Sequence, residues 1–595
     1  MFERAPTWTI RKLNVRWSVI AIAIMIAATF TNANAQTPTP SPQTEEVKSG
    51  SLTGRVVNES GQPLAGATVY TRLAGYALGT RTVTSNLEGN FQINGLDPAV
   101  YYLSAMAPAY VTLPVDLDTP QPVYRIGDSV RLELVKGGVI TGTVTNSLNE
   151  PIVGTRVRAV LIKDASGKSN KGISFSIGER STDDRGIYRI YGLAPGTYIV
   201  QAGGMGTFSN AGSGDLDAPT FAPSSTRDTA SEIQVRSGEE TSVDIRYRGE
   251  QGHLISGTVK TSSSGGTSIS LTSVGDGFMP VNNSYQTPGS KGFTLSGVAD
   301  GEYEIVAQEV VSQLSMPYPD MAFSDPIRVS VKGADVTGLE LIPKPLGSIG
   351  GKILLESSKV PECQNKRQPL FNETLVTLVQ SKKERETDPA ALFRFLGNTS
   401  AVDRDGSFTV KNIRAGQYFS NPRFFARYWY LKSMTLGAAP AGPATKTTIS
   451  TNKDAARNWT VLKGGERISG LTITLSEGAA SIRGKVETGE DARPAPGSLV
   501  YLVPAERDKL EDPLHYFVSD IGGDLSFSLS NLPPGRYLSL VQAPVENTPT
   551  ATDKLRLPDA LDARTKLRRA AEATKVEIEL KPCQNLTDYS LKLKP

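Results

Sequence analysis

Histidine is nearly missing from this 595-residue chain, with only His253 and His515 present. A zinc peptidase needs about three nitrogen or oxygen ligands converging on the metal, usually including histidines. Neither histidine belongs to an H-x-x-E or H-E-x-x-H pattern, and no G-x-S-x-G elbow, Walker loop or dinucleotide fingerprint stands out. An enzyme, a metal and a cofactor are all outside the expectation. Cysteine is equally sparse, with Cys363 and Cys583 alone. Two cysteines are no disulfide framework in a chain whose domains of about 100 residues can bury adequate cores. Whether these two are bridged or remain separate thiols is open at this level.

Charge of one sign is also scarce. The 63 Lys and Arg against 60 Asp and Glu leave a net charge of +3, and this excess belongs to the N-terminus. The first 35 residues carry Arg4, Arg11, Lys12, Arg16 and Glu3, so their removal leaves a neutral chain. A neutral chain has no bulk charge with which to hold nucleic acid or an anionic membrane. Long apolar runs are missing too. The longest, VIAIAIMIAATF at 19–30, has 12 residues against the roughly 20 that span a bilayer. Flanked by the basic residues and followed by Ala33-Asn34-Ala35, it reads as an export signal cleaved before Gln36. The expected compartment is periplasm, cell surface or medium, with no membrane span after cleavage. No cysteine follows the run, which argues against a lipid anchor. Residues 36–49 are Pro/Thr/Ser-rich and read as an extended linker.

Glycine and proline, by contrast, are plentiful at 56 and 38 residues, which suits many strands joined by many turns. One phrase recurs: NLEGNFQINGLDPAVYYL, STDDRGIYRIYGLAPGTYIV, GSKGFTLSGVADGEYEIV, DRDGSFTVKNIRAGQYFS and GGDLSFSLSNLPPGRYLS. In each copy an aromatic residue precedes a tyrosine by ten positions: Phe91/Tyr101, Tyr188/Tyr198, Phe293/Tyr303, Phe408/Tyr418 and Phe527/Tyr537. Aliphatic residues stand at plus two and plus five, as with Val410 and Ile413. Period-two spacing puts Phe408 and Val410 on one strand face and Ser407 and Thr409 on the other. Gly196, Gly301, Gly416 and Gly535 precede the tyrosines by two, where a tight turn can require positive φ, and Ala99 replaces that glycine in the first copy.

Around each phrase the frame also repeats. An alternating strand with a central glycine opens it, as in Leu52 to Val56, Ile140 to Val144, Ile255 to Val259, Ile349 to Ile353 and Ile482 to Val486. P-x-x-G-x-x-V follows at Pro63 and Pro151, with a looser version at Pro494. Another alternating strand closes each copy, near 129–135, 241–247, 336–342, 468–475 and 574–580. These marks predict an all-β chain, a tandem array of five antiparallel β-sandwich domains at 50–136, 137–248, 249–345, 346–477 and 478–595. Joins of four or five residues predict beads in a straight row. Residues 558–573, PDALDARTKLRRAAEA, predict one short helix in the fifth domain.

The combination of I-x-G-x-V, P-x-x-G-x-x-V, D-x-x-G-x-F/Y and L-x-P-G-x-Y resembles the carboxypeptidase regulatory-like domain. The resemblance is most specific in the first two copies and weakest in the third, where SSSGGTSI replaces P-x-x-G. It implies prealbumin-like sandwiches near the Cna B-type and carbohydrate-binding-like folds. In that family the domain is accessory: it accompanies a metallocarboxypeptidase or appears alone in exported bacterial proteins. The resemblance therefore implies an envelope setting and a protein or glycan partner.

Two motifs invite a further reading, and only the second exceeds this frame. The aspartates of Asp183-Asp184-Arg185-Gly186 and Asp403-Arg404-Asp405-Gly406 lack the alternating ligands and distal glutamate of a calcium loop, and read as β-turn caps. The stretch NPRFFARYWYLKSM at 421–434 crowds Phe424, Phe425, Tyr428, Trp429 and Tyr430 into seven positions. As a strand it would put Phe425, Arg427 and Trp429 on one face and Phe424, Tyr428 and Tyr430 on the other. Phe425, Arg427, Trp429, Tyr430 and Trp459 are thus the candidate surface for a sugar or a protein. The competing reading buries both faces, one in the sandwich and one against a neighbouring domain. The functional expectation is an exported, non-enzymatic array that presents or spaces binding surfaces. Two alternatives are a carbohydrate-binding protein with its site in the fourth copy, and an accessory subunit of an envelope enzyme or transport complex.

Overall fold

A computed structural model describes residues 49–592 except 76–79, 117–120, 170–171, 174–177, 205–215, 262–264, 275–279, 311–318, 388–397, 438–452, 488–493, 496 and 544–548. The export signal and nearly all of the linker lie outside the described residues. What is described is all-β apart from short helical segments, in small sheets consistent with β-sandwiches in tandem.

The first sandwich sets the pattern. Its opening strand, Gly50–Asn58, lies between the aromatic strand Asn90–Leu96, antiparallel to it, and the closing strand Ser129–Lys136, parallel to it. A second sheet pairs Thr68–Leu73 with Arg81–Thr84 and with the tyrosine strand Val100–Met106. The core lies between the sheets, with Leu52, Val56, Phe91, Ile93, Tyr101 and Leu134 facing inward. The same antiparallel-plus-parallel arrangement recurs around the opening strands Gly138–Thr145, His253–Val259, Gly347–Glu356 and Ala480–Glu487.

The glycine of the opening strand has a steric cause. Gly54, Gly142, Gly257, Gly351 and Gly484 each stand opposite the phrase's aromatic residue. A Cβ on any of them would lie 1.9–2.2 Å from a carbonyl oxygen of the closing strand, well inside contact distance. The flanking Leu52, Ile140, Ile255, Ile349 and Ile482 are fully buried. Only glycine lets the parallel neighbour approach at that point.

In the fifth copy the expected closing strand is corrected. Glu577–Leu580 joins the other sheet, antiparallel to Gly535–Gln542, while Asn585–Lys592 runs parallel to the opening strand. Cys583 therefore lies between these two strands. Both segments alternate, and alternation does not say which partner a strand takes. The predicted helix is present as a 3-10 turn at Pro558–Ala560 and an α-helix at Leu561–Thr574. Its Leu567 and Ala571 cover the outer face of Leu499–Pro504, packing with Tyr501 and Val503. That strand is buried on both faces, which is why it reads LVYLVP without alternation.

The straight row is not what forms. Ala74, Val100 and Val123 of the first copy pack on Leu375, Ala401 and Phe425 of the fourth. The Asn372 amide donates to the Pro98 carbonyl, and Arg423 donates to the Gln121 carbonyl at 2.8 Å. Glu373, 3% exposed, accepts from Arg367 at 2.7 Å and pairs with Arg125 at 3.5 Å. Short joins restrict neighbours, but they do not say which distant surfaces are complementary.

Candidate functional site

Each repeated tyrosine makes the same bond. The hydroxyls of Tyr101, Tyr198, Tyr303, Tyr418 and Tyr537 donate to the carbonyls of Asp97, Ala194, Ala299, Arg414 and Pro533, four residues upstream, at 2.7–3.0 Å. These rings are buried, and the bond satisfies the one polar atom that each brings into the core. Burial pushes the hydroxyls of Tyr101, Tyr198 and Tyr537 above the ordinary phenol range. They are structural pins with no free chemistry.

The glycines before the tyrosines have φ of 147–158°, near the extended edge of positive φ, and Ala99 is not among the positive-φ residues. The left-handed position lies elsewhere, four residues after the aromatic. It holds Gly95, Gly192, Gly297, Asn412 and Asn531, with φ of 57–74°. The two asparagines were missed from sequence, although Asn in a column of Gly is a readable sign of left-handed backbone. Their side chains reach preceding segments. Asn412 donates to the Pro319 carbonyl at 3.1 Å and accepts from Met321 N at 2.9 Å. Asn531 donates to the carbonyls of Ala426 at 2.8 Å and Trp429 at 2.7 Å.

That second bond bears on the aromatic stretch. The strand begins only at Trp429 and runs to Leu436, with a turn before it, so the two-faced arrangement expected for 424–430 does not form. Trp429 is 0% exposed and packs into the fourth core with Phe408, Tyr418 and Leu475. Trp459 is half-buried against the same core. Phe425 turns to the first copy, with the Arg125 guanidinium 5.3 Å above its ring. Arg427 is exposed and donates to Asn585 and, at 3.3 Å, to Ser481 of the fifth copy. Tyr430 is half-buried beside Gly478. The structure thus disperses the five candidate residues among the fourth core and two interfaces. Cys363 and Cys583, 220 residues apart, form a disulfide that joins the fourth copy to the fifth.

The turn aspartates cap backbone. Asp183 Oδ1 accepts from the N–H groups of Arg185 and Ile187, and Asp405 Oδ1 accepts from Ser407 N and Oγ. Among the described residues no group of three His, Cys, Asp or Glu could hold a metal, and no helix is long and apolar enough to cross a membrane.

Where the first, fourth and fifth copies meet there is an open cleft of about 400 Å³. Phe424, Phe425 and Phe517 form part of its apolar wall, and Arg423 and Arg556 supply its charge. Neither arginine was singled out from sequence, because a cleft between segments leaves no periodicity.

Residues 51–124 match the carboxypeptidase regulatory-like domain, a regulatory rather than a catalytic unit. No curated protein matches the chain. Among solved structures, the TIE protein of Bacillus anthracis is similar at 14% identity, 50% of this chain covering 51% of that one, with a TM-score of 0.13. The minor pilin GBS52 of Streptococcus agalactiae is similar at 14% identity over 34% of this chain and 96% of that one, TM-score 0.19. The shaft pilin SpaA of Lactobacillus rhamnosus GG is similar at 12% identity over 34% and 98%, TM-score 0.16. The chain spans about half the length of the TIE protein. Likenesses of this size carry no inference about role.

Proposed function

We propose that the chain is an exported, non-enzymatic scaffold of the bacterial cell envelope, built from five prealbumin-like β-sandwich domains at 50–136, 137–248, 249–345, 346–477 and 478–595. Its role is to hold binding surfaces at fixed separations for a protein or glycan partner. The observation that carries this reading is how the side chains particular to the fourth and fifth copies are used. Phe425, Arg427, Asn412, Asn531 and the Cys363–Cys583 bridge all join one segment to another. A molecule whose distinctive residues go into fixing the mutual placement of its parts is organised for geometry. The bridge fits an oxidising compartment, as the N-terminal signal does.

The natively produced protein tests the reading in one preparation. Its N-terminus should lie within a few residues of Gln36, and non-reducing peptide mapping should recover Cys363 linked to Cys583. Met1 retained on a chain with two alkylatable thiols would overturn the proposal. Pull-down from envelope extract, followed by a glycan screen, then distinguishes a protein partner from a sugar.

A further inference from the structure

The cleft between the first, fourth and fifth copies has the composition of a ligand site. Its lining contains two arginines and no carboxylate. Arg423 uses one nitrogen on the Gln121 carbonyl. Arg556 is the less satisfied of the two: its Nε is buried and lacks a hydrogen-bond partner. Its guanidinium stands 5.1 Å over the Phe517 ring, a contact that leaves the N–H edge unused. Arg556 as a residue is half-buried, and a guanidinium nitrogen buried without an acceptor is costly. Burial accordingly pushes Arg556 down to about 10, with Asp553 opposing the shift.

Charge, shape and donors together narrow the occupant. Asp553 acts on both arginines and Asp512 on Arg556 as well, so most of their charge is already offset, which suits a monoanion better than a dianion. A guanidinium presents parallel N–H groups that match a carboxylate's two oxygens. Phe424, Phe425 and Phe517, with Val123 and Leu431, provide the apolar wall for the remainder of the molecule. A volume of about 400 Å³ is within the range of small-molecule sites.

We propose that this cleft binds a small monocarboxylate with a ring or hydrocarbon body, its carboxylate on Arg556 and Arg423 and its apolar part against the phenylalanines. The site is separate from the scaffold role and does not depend on export. Because residues from three copies line it, it exists only when they are docked together.

Benzoate is the probe, with benzamide as its neutral counterpart and inorganic phosphate as a second oxyanion, each titrated calorimetrically into the full mature chain. Benzoate should bind at one site and benzamide should not. Arg556→Gln should weaken benzoate at least about tenfold, the usual scale for a charge-assisted bond, while Arg556→Lys should retain part of the affinity. Ser530, exposed at the rim, offers a variant that leaves both arginines alone: Ser530→Trp should block binding without changing the melting temperature. This second variant decides the matter if Arg556→Gln fails to fold. Three results would each overturn the proposal: no benzoate binding at about 10 mM, equal binding of benzamide or phosphate, or affinity unchanged in Ser530→Trp.

Discussion

The side-chain amide of Asn531 donates to the backbone carbonyl of Trp429 at 2.7 Å, tying the left-handed turn of the fifth copy to the first residue of a core strand in the fourth. The same amide holds the Ala426 carbonyl, so one side chain closes the turn that ends the aromatic stretch. Two losses can be separated here. Asn531→Gly keeps the backbone conformation and removes both bonds, which should cost about 1–3 kcal/mol through the carbonyls left unpaired. Asn531→Ala should cost roughly a further 1–2 kcal/mol, because alanine resists φ near 57°. Denaturant unfolding of the two variants measures the difference, and equal midpoints would show that the backbone term is absent.

Trp429 belongs to the core, and its removal should act on stability. Trp429→Ala is expected to cost about 3–5 kcal/mol by the cavity it leaves. After signal removal Trp429 and Trp459 are the only tryptophans. Trp429 emission should be blue-shifted and insensitive to iodide, and the half-buried Trp459 should respond in part. Full quenching of both would contradict the burial.

The opening-strand glycines offer a steric test with an internal control. Gly351→Ala would place a methyl 1.9 Å from the Leu471 carbonyl and should prevent the parallel pairing, giving aggregation or a loss of several kcal/mol. Gly464→Ala meets nothing within 4 Å, and its φ carries no left-handed strain, so its melting temperature should match the parent protein. If both variants behave alike, close strand approach is not the reason for glycine.

The turn aspartates predict an acid-side loss of stability. The side-chain bond from Arg185 holds Asp183 below the ordinary carboxylate range, and the Ser407 and Ser526 hydroxyls do the same for Asp405 and Asp524. A carboxylate depressed in the fold contributes stability that is present above its unfolded value, about 3.9. That contribution is lost as pH falls through the folded value. Melting temperatures should therefore be flat with respect to these groups at neutral pH and decline below about pH 4. Carbon-13 carboxyl titration should place the three below free aspartate. Millimolar calcium should leave melting unchanged if these are turn caps, and a calcium-dependent rise would restore the metal-loop reading.

Amino-acid order alone carried most of the strands and their inward faces. Period-two burial at Phe408 and Val410, and the glycine facing each aromatic, are local consequences of pleat and volume that repeat wherever the pattern repeats. The helix at Leu561–Thr574 was legible for a similar reason, since its proline start and alanine-rich end are local signals. Everything that depended on which surface meets which was decided by the tertiary structure. Glu577–Leu580 and Asn585–Lys592 alternate alike yet join different sheets. Trp429 and Phe425 lie four residues apart yet enter a core and an interface, because the chain turns between them. Cys363 meets Cys583 across 220 residues, and Val100 meets Leu375. Periodicity reports which way a side chain points from its own strand; what lies opposite is set by the complementary shape and charge of a distant segment, which no local pattern encodes.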